Sequence, residues 1–323
     1  MILKLVTQIS RIIVGILFIY SGFVKLVDPI GSQFKFEEYF SESVLNIEFL
    51  IPLALPFSIL LIVSELTLGV MLLVGYKPKF TVWSLFSLNF VFLFLTWYSY
   101  TYNKVTDCGC FGDAVKLTPK ETFYKNIIFM FFIVILIIGM KHISSIISNK
   151  FAALSSLASV LISLFIANYV LNHLPIIDFR AYSVGTDIAS GMEYKDDGEI
   201  PPIHDFMIET DDGDQLESML GKDKAMLVII YNFEKTDQEG MPFIADIARK
   251  ANEKGYSVYV LTASYIENQE TSQKKYNLPY PFGFCDETTL KTAIRSNPGI
   301  ITVEKGIITG KWNWKDTDEV LLK

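Results

Sequence analysis

Five long apolar runs in the first half of the chain constrain its fold more than any other feature. Each is close to the roughly 20 residues that an α-helix needs to cross a lipid bilayer. The runs extend over Leu3 to Val27, Ile51 to Gly75, Phe80 to Tyr100, Phe123 to Met140 and Phe151 to Leu174. Because lipid offers no hydrogen bonds to a free backbone, we predict that all five are membrane-spanning helices.

The basic residues of the short connections predict how these helices are oriented, since cytoplasmic loops are enriched in Lys and Arg. Residues 1 to 11, 76 to 79 and 141 to 150 contain such side chains and no Asp or Glu. We therefore expect a multi-pass protein of the bacterial inner membrane, with a cytoplasmic N-terminus and a periplasmic C-terminal domain. A net charge of −7 argues against nucleic acid as a partner.

After about residue 200 the apolar pattern becomes that of an α/β domain. The stretch "AMLVIIYNF" from Ala225 to Phe233 predicts a buried strand, "MPFIADIARKANEKG" a helix and "YSVYVLTAS" a second, parallel strand. A helix near Ile266 to Asn277, a short strand in "YPFGF" and a helix in "TTLKTAIR" come next. The last predicted elements are a hairpin that turns at Lys305-Gly306 and a terminal helix.

This order of elements, over residues 200 to 323, resembles the thioredoxin-like domains of membrane-tethered thiol-disulfide proteins. The resemblance implies a cis bond between Asn297 and Pro298, and it makes these two residues candidates for binding a partner. Active members of that fold carry C-x-x-C at the start of the first helix, but this chain has "YNFEKTDQEGMPF" without cysteine. The domain is therefore not expected to exchange dithiols by the usual route.

Cys108 and Cys110 flank Gly109 in the polar segment "TDCGCFGDA", between the third and fourth apolar runs. Such a pair can close a small strained disulfide ring, because glycine frees the backbone, and strained disulfides tend to be oxidising and labile. The alternatives are a static loop clamp and a Cu(I) site, for which the segment lacks a His or Met ligand. Asp107 and Asp113 disfavour the thiolate, which favours a pair that stays oxidised or one that a partner activates.

Two motifs in the first 145 residues are "SGFVKLVDP", at the end of the first run, and "DCGCFGD", before the fourth. They resemble the DoxX and MauE families of redox-associated membrane proteins. The resemblance implies a four-helix membrane bundle, linked in MauE members to disulfide formation in periplasmic partners. The expected division is this bundle at 1 to 145, a fifth transmembrane helix at 146 to 175, a linker at 176 to 199 and the thioredoxin-like domain at 200 to 323.

Ionisable side chains inside the spans are candidate functional residues, because a charge in lipid is costly. Glu65 lies near the middle of the second span, and counting inward from the external ends places Arg11 at a similar depth. We therefore predict an Arg11–Glu65 ion pair, with proton handling by Glu65 as the alternative. Asn89 of the third span would join either arrangement, whereas Lys25 is expected to extend to the external interface.

The segment "GSQFKFEEYFSESV" alternates aromatic and charged residues and predicts an amphipathic helix along the outer surface, which could form a lid over a quinone site. Cys285 ends an apolar strand and is expected to be a small buried hydrophobic side chain, with a mixed-disulfide role as the alternative. The three histidines have no second ligand at metal-binding spacing, so no metal site is predicted.

Together these features favour a membrane redox protein in which Cys108 and Cys110 exchange a disulfide with an extracytoplasmic partner, with a quinone as candidate electron acceptor. The chain has only three cysteines, so the substrate dithiol must belong to another protein. The competing hypothesis is a non-enzymatic scaffold subunit in which the Cys-Gly-Cys disulfide fixes a loop. Transport of a small molecule near Glu65 and Asn89 is disfavoured, because the five spans show no inverted repeat.

Overall fold

The computed structural model describes residues 1–105, 112–115, 117–194, 200–266 and 268–323. The chain divides into two units, Met1–Leu171 and Asn172–Lys323. Apolar helices make up the first unit, and the second is built around a mixed β-sheet. The two predicted fold classes, a helical membrane part and an α/β part, are confirmed at this level.

The membrane unit contains the helices α1 Ile2–Val27, α2 Pro29–Phe40, α3 Ala54–Val74, α4 Pro78–Tyr102, α5 Pro119–Ile138 and α6 Asn149–Asn172. A 3₁₀ helix, Glu48–Leu53, leads directly into α3. Except for α2, these helices are long and apolar enough to cross a membrane, so that the described residues contain five candidate spans. The five spans coincide with the apolar runs, and that prediction is confirmed.

Small residues allow α1 and α3 to pack closely along their length. A Cβ atom at Gly22 would lie 2.7 Å from Cγ of Leu66, and one at Gly69 would lie 2.9 Å from the carbonyl oxygen of Gly15. Such contacts are typical of helix pairs in membranes, because they let two backbones approach. The contact at Gly22 also reaches Cβ of Glu65, at 3.1 Å, so these positions decide which residues of the two helices face each other.

The second unit contains five helices and seven strands among the described residues. The helices are α7 Ile188–Gly191, α8 Leu216–Leu220, α9 Met241–Glu253, α10 Gln269–Tyr276 and α11 Glu287–Ala293. The strands are β1 Glu209–Thr210, β2 Gly213–Asp214, β3 Ala225–Ile229, β4 Ser257–Thr262, β5 Phe282–Phe284, β6 Gly299–Glu304 and β7 Ile307–Asn313. A 3₁₀ helix, Trp314–Glu319, follows β7.

The strands form a single sheet in the order β2-β1-β5-β4-β3-β6-β7. β3, β4 and β5 are parallel neighbours, whereas β6 runs antiparallel to both β3 and β7. The predicted alternation of strands and helices from Ala225 onward is confirmed. The predicted turn at Lys305-Gly306 is also confirmed, with φ of 50° and 82°, and the Asn297-Pro298 bond is cis, as predicted.

Alternating side chains of β3 enter two apolar layers, one on each face of the sheet. Met226 and Val228 belong to the layer that contains the apolar face of α9, and Leu227 and Ile229 belong to the opposite layer. All five residues of β3 are buried, as expected for a central strand covered on both sides. Tyr182 and Ile188, from the predicted linker, are part of the second layer.

Candidate functional site

Lys25 of α1 and Glu65 of α3 form a buried ion pair in the membrane unit. Nζ of Lys25 lies 2.9 Å from Oε2 and 3.1 Å from Oε1 of Glu65, and it donates to Oγ of Ser21 at 2.6 Å. The side chains of Lys25 and Glu65 are only 5% and 1% exposed. A buried charge is tolerated where an opposite charge and hydrogen bonds satisfy it, so the three groups form one polar unit.

The predicted Arg11–Glu65 ion pair is wrong. Arg11 donates from Nε to the carbonyl oxygen of Leu72 at 2.8 Å and from Nη2 to that of Leu73 at 2.7 Å. These carbonyls belong to the last turn of α3, where a helix has no internal donors left. Arg11 therefore caps the C-terminus of α3, where a positive charge also complements the helix dipole.

The packing of α1 on α3 explains why depth along the spans was a poor guide. Glu65 lies beside Gly22, eleven residues beyond Arg11, because the glycine contacts set the register of the two helices. Side chains of an α-helix tilt toward its N-terminus, so Lys25 extends one turn back along α1, toward Ser21 and Glu65. The expectation that Lys25 reaches the external interface is therefore also wrong.

Asn89 belongs to a separate polar contact between α4 and α5. Its Nδ2 donates to the carbonyl oxygen of Asn126 at 3.1 Å, and Nδ2 of Asn126 donates to Oγ1 of Thr96 at 3.2 Å. Oδ1 of Asn89 is buried and has no hydrogen-bond partner within the described part of the chain. Asn89 was expected to interact with Glu65 or Arg11, and these hydrogen bonds include neither residue.

A cavity of about 280 Å³ lies between α2, α3 and α4, with Lys25 in its wall. Aromatic side chains form much of the lining, and they include Phe36, Tyr39, Phe57 and Phe92. Nζ of Lys25 lies 5.8 Å from the centre of the Phe92 ring. The amphipathic segment predicted after the first span is the helix α2, and it supplies one wall of this cavity.

A second cavity, of about 10 Å³, adjoins the other side of the ion pair. Ser21, Lys25, Glu65 and Asn126 contribute to its lining. This volume is about that of one water probe, and its lining combines these polar residues with the rings of Phe18, Phe92 and Phe129. The Lys25 side chain is therefore part of the wall of both cavities.

Cys108 and Cys110 lie outside the described residues, but the chain on either side of them is described. Val105 is fully buried in an apolar cluster with Tyr39, and Phe36 and Phe57 pack against this cluster. On the other side, a Cβ atom at Gly112 would lie 3.1 Å from Cγ1 of Val24, the residue before Lys25.

Both ends of the cysteine segment therefore pack on parts of α1, α2 and α3 that surround the larger cavity. Val105 approaches it through the aromatic side chains, and Gly112 through the last turns of α1. The cysteine segment is thus preceded by a residue that packs with the cavity-lining Tyr39 and followed by one that packs on Val24, the neighbour of Lys25.

In the second unit, the segment that lacks C-x-x-C is held against Asn297. Oγ1 of Thr236 donates to Oδ1 of Asn297 at 3.2 Å, and Nδ2 of Asn297 donates to the carbonyl oxygen of Asn232 at 2.8 Å. The amide of Asp237 donates to the carbonyl oxygen of Asn297 at 3.0 Å. Asn297 and the adjacent Pro298 are thus held against the segment that leads into α9.

The sequence analysis missed a buried charge cluster in the second unit. Asp178 accepts hydrogen bonds from Nε of Arg180 at 2.7 Å and from Nζ of Lys311 at 2.6 Å. Burial and the neighbouring Arg180 charge lower the pKa of Lys311 to about 7. Burial raises the pKa of Asp178, but the two cations outweigh it, so that this pKa is below its usual value. No local pattern reveals the cluster, because 133 residues separate Asp178 from Lys311.

Cys285 is 1% exposed and belongs to the apolar layer that contains Tyr182. Its thiol is free, and burial raises its pKa to about 12. A thiol reacts mainly as the thiolate, so Cys285 is unreactive in the folded unit. The expectation of a small buried side chain at this position is confirmed.

Comparison with known proteins gives one match. Residues 3–139 match the family model described as methylamine utilisation protein MauE. This range contains nearly all of α1 and the whole of α2 to α5, so the membrane unit is similar to that family over the helices that build the site. No curated protein and no solved structure gives a significant match to the chain.

Proposed function

We propose that this chain is a membrane redox protein that oxidises a dithiol of an extracytoplasmic partner through a Cys108–Cys110 disulfide. A partner thiolate attacks one sulfur of that disulfide, which forms a mixed disulfide and releases the other cysteine as a thiolate. The second partner thiolate then attacks the partner's own sulfur in the mixed disulfide and releases the remaining cysteine. The partner gains a disulfide, while Cys108 and Cys110 become thiols that hold the two transferred electrons. A further acceptor must remove these electrons before the next cycle.

The observation that carries this proposal is the position of Val105 and Gly112, the described neighbours of the cysteine segment. Val105 belongs to the apolar cluster of Tyr39, which lines the cavity, and Gly112 lies against Val24, the residue before Lys25 of the buried Lys25–Glu65 pair. An ionisable pair inside a span is costly and therefore a candidate functional site.

The similarity of residues 3–139 to the MauE family supports a redox-associated or assembly role in the membrane. We propose the same redox-associated role on the resemblance of the first 145 residues to DoxX proteins. The distribution of Lys and Arg supports a cytoplasmic N-terminus in a bacterial inner membrane. In that orientation, Cys108 and Cys110 face the periplasm, where disulfides persist.

We assign the second unit to partner binding in a thioredoxin-like fold. The parallel β3-β4 pair, joined through α9, and the antiparallel β6-β7 hairpin agree with the order of elements in that fold. Asn297 and Pro298 would contact the partner, since they lie beside the start of α9. Without C-x-x-C this unit would select the partner, and Cys108 and Cys110 would carry out the chemistry.

A second candidate is a non-enzymatic scaffold subunit, and the hydrogen bonds of Asn297 favour it. Its amide nitrogen, amide oxygen and carbonyl oxygen all have partners inside the domain, at Asn232, Thr236 and Asp237. A side chain engaged in this way braces the segment and has less capacity to bind a partner. In this alternative the Cys108–Cys110 disulfide is a static clamp.

The reduction potential of the Cys108–Cys110 pair separates the two candidates. Purified full-length protein in detergent is equilibrated with graded thiol-disulfide buffers, alkylated and analysed by mass spectrometry. A potential of roughly −120 to −200 mV is expected for a disulfide that is passed on. A potential below about −300 mV is typical of a structural disulfide and would favour the scaffold.

A single-turnover assay with a fluorescent dithiol peptide tests the chemistry itself. We expect oxidised wild-type protein to form one peptide disulfide per chain, and Cys108→Ser to form none. Cys285→Ala is the matched control and should keep the full yield, because Cys285 is buried. Equal yields from wild type and Cys108→Ser would contradict the proposed function.

A further inference from the structure

We propose that the cavity between α2, α3 and α4 binds a quinone, which accepts the electrons that Cys108 and Cys110 receive. This inference rests on the proposed function and names its missing reactant. The chain has three cysteines, and the third, Cys285, is buried in the apolar core of the second unit. A second dithiol for onward transfer therefore does not exist within this sequence.

The electron balance indicates what kind of acceptor is needed. Closing the Cys108–Cys110 disulfide forms one S–S bond and breaks two S–H bonds, which releases two electrons and two protons. Reduction of a quinone to a quinol consumes the same two electrons and two protons at its two carbonyl oxygens. Quinones dissolve in the hydrocarbon core of a bilayer, so the product quinol can leave laterally and be replaced.

The shape and lining of the cavity suit a flat aromatic ring. Its volume of about 280 Å³ is near the lower end of ligand sites, which are typically apolar with a few placed polar groups. Rings of Phe36, Phe57 and Phe92 provide aromatic surfaces for stacking. Leu60 is 63% exposed, so the cavity lining reaches the outer surface of the unit on the α3 side, where an isoprenoid tail would extend.

Polar side chains are part of the lining of this largely apolar cavity. The Lys25 ammonium is part of the cavity wall and is held in position by Glu65 and Ser21. Hydroxyl groups of Ser32, Tyr39 and Thr96 also belong to residues of the lining. A fixed cation next to a carbonyl oxygen favours its reduction, because negative charge develops on that oxygen.

The residues on either side of the cysteine segment connect it to the cavity. Val105 shares an apolar cluster with Tyr39, a lining residue, and Gly112 packs against Val24, the neighbour of Lys25. The described residues that flank Cys108 and Cys110 therefore pack on Tyr39, at the cavity, and on the residue before Lys25. A groove of about 1230 Å³ along α3 and α4 is lined by neither Lys25 nor Tyr39.

The test measures binding of decylubiquinone to full-length protein in detergent by equilibrium dialysis. Leu61→Trp and Leu95→Trp place an indole in the cavity from opposite walls, α3 and α4. We expect each to weaken binding by at least about tenfold, since the ring competes for the same space. Leu154→Trp on α6 is the matched control, because Leu154 is 58% exposed and lies outside the lining; its affinity should equal that of wild type.

Decanol, which has the tail but no ring, is the control ligand. It should not displace decylubiquinone at equal concentration. Displacement by decanol would show a site for acyl chains and would overturn the inference. Unchanged affinity in both cavity variants would also overturn it.

Two readouts keep this inference separate from the proposed function. Cys108→Ser should bind decylubiquinone as wild type does, but should no longer reduce it when a dithiol peptide is supplied. Binding without any effect of Cys108→Ser on reduction would refute disulfide exchange and leave the site intact. If decylubiquinone fails to bind while the protein still oxidises the peptide in a single turnover, the quinone site is refuted and disulfide exchange is not.

Discussion

Each of the two units buries a lysine, and the two lysines are balanced differently. In the membrane unit, Lys25 faces one carboxylate, Glu65, and both side chains are at most 5% exposed. In the second unit, one carboxylate, Asp178, serves both Arg180 and Lys311, and its side chain is 18% exposed. The first arrangement is an electrically neutral pair, whereas the second carries an excess positive charge.

The difference shows how the surroundings determine what a buried lysine does. A neutral pair in an apolar bundle depends on the presence of both partners, since neither charge has water to replace the other. In the cluster, burial and then the neighbouring Arg180 charge lower the pKa of Lys311 to about 7, so the stability of the second unit depends on pH. Lys25 of the membrane pair also lines a cavity, whereas the cluster joins the segment near Asp178 to β7.

The largest effect is expected from removing one partner of the membrane pair. Glu65→Ala leaves the Lys25 charge unpaired among apolar side chains and should lower the free energy of unfolding by about 3–5 kcal/mol. Unfolding of the purified protein in mixed micelles of increasing denaturing-detergent content measures this change. The double variant Lys25→Met, Glu65→Leu should be far closer to wild type; a double variant as unstable as Glu65→Ala would contradict this account.

The charge cluster should respond to the same test with a smaller loss. Asp178→Asn removes the negative charge from between Arg180 and Lys311, and its 18% exposure lets water replace part of the interaction. We expect a loss of about 2 kcal/mol in the free energy of unfolding of the second unit. Pulse proteolysis of the full-length protein measures it, and a loss larger than that of Glu65→Ala would reverse the comparison.

The pH dependence distinguishes the two lysines further. The pKa of Lys311 is about 7 in the folded chain and lies near 10.4 in an unfolded one, so the unfolded chain binds more protons between these values. The free energy of unfolding should therefore rise with pH in this window, by at most about 1.4 kcal/mol per pH unit. Lys311→Met should remove this contribution, and identical pH profiles of wild type and variant would refute it.

The smallest effect is expected where charges are exposed. Arg249 pairs with Asp246 at 2.6 Å and with Glu253 at 2.6 Å on the outer face of α9, and all three side chains are about half exposed. Water and salt screen such pairs, so Arg249→Ala should not change stability measurably. A loss similar to that of Asp178→Asn would show that burial is not what separates these pairs.

Local sequence patterns predicted the parts of the fold that depend on local physics. Hydropathy located the five spans, because a helix in lipid needs a continuous apolar run of a certain length. Alternation and turn residues located the elements of the second unit, including the hairpin at Lys305-Gly306. These features depend on residues that are close together in the chain.

The partners of the buried charges depend on contacts between distant segments. Counting residues from the ends of the spans paired Glu65 with Arg11, but the approach of α1 to α3 at Gly22 pairs it with Lys25. The spacing from Ser21 to Lys25 is a usable signal, since residues four apart share a helix face. The contact of Lys311 with Asp178 has no comparable signal, because only the folded sheet brings them together.

Because Cys285 is buried, the number of thiols that an alkylating reagent labels per chain reports the fraction of molecules whose second unit is folded. While the second unit is intact, an alkylating reagent meets a shielded thiol whose pKa of about 12 leaves almost no thiolate. A third label per chain, beyond those at Cys108 and Cys110, therefore reports molecules whose second unit has opened. Mass spectrometry of a labelled sample would thus yield the redox state of the loop and the integrity of the sheet from one spectrum.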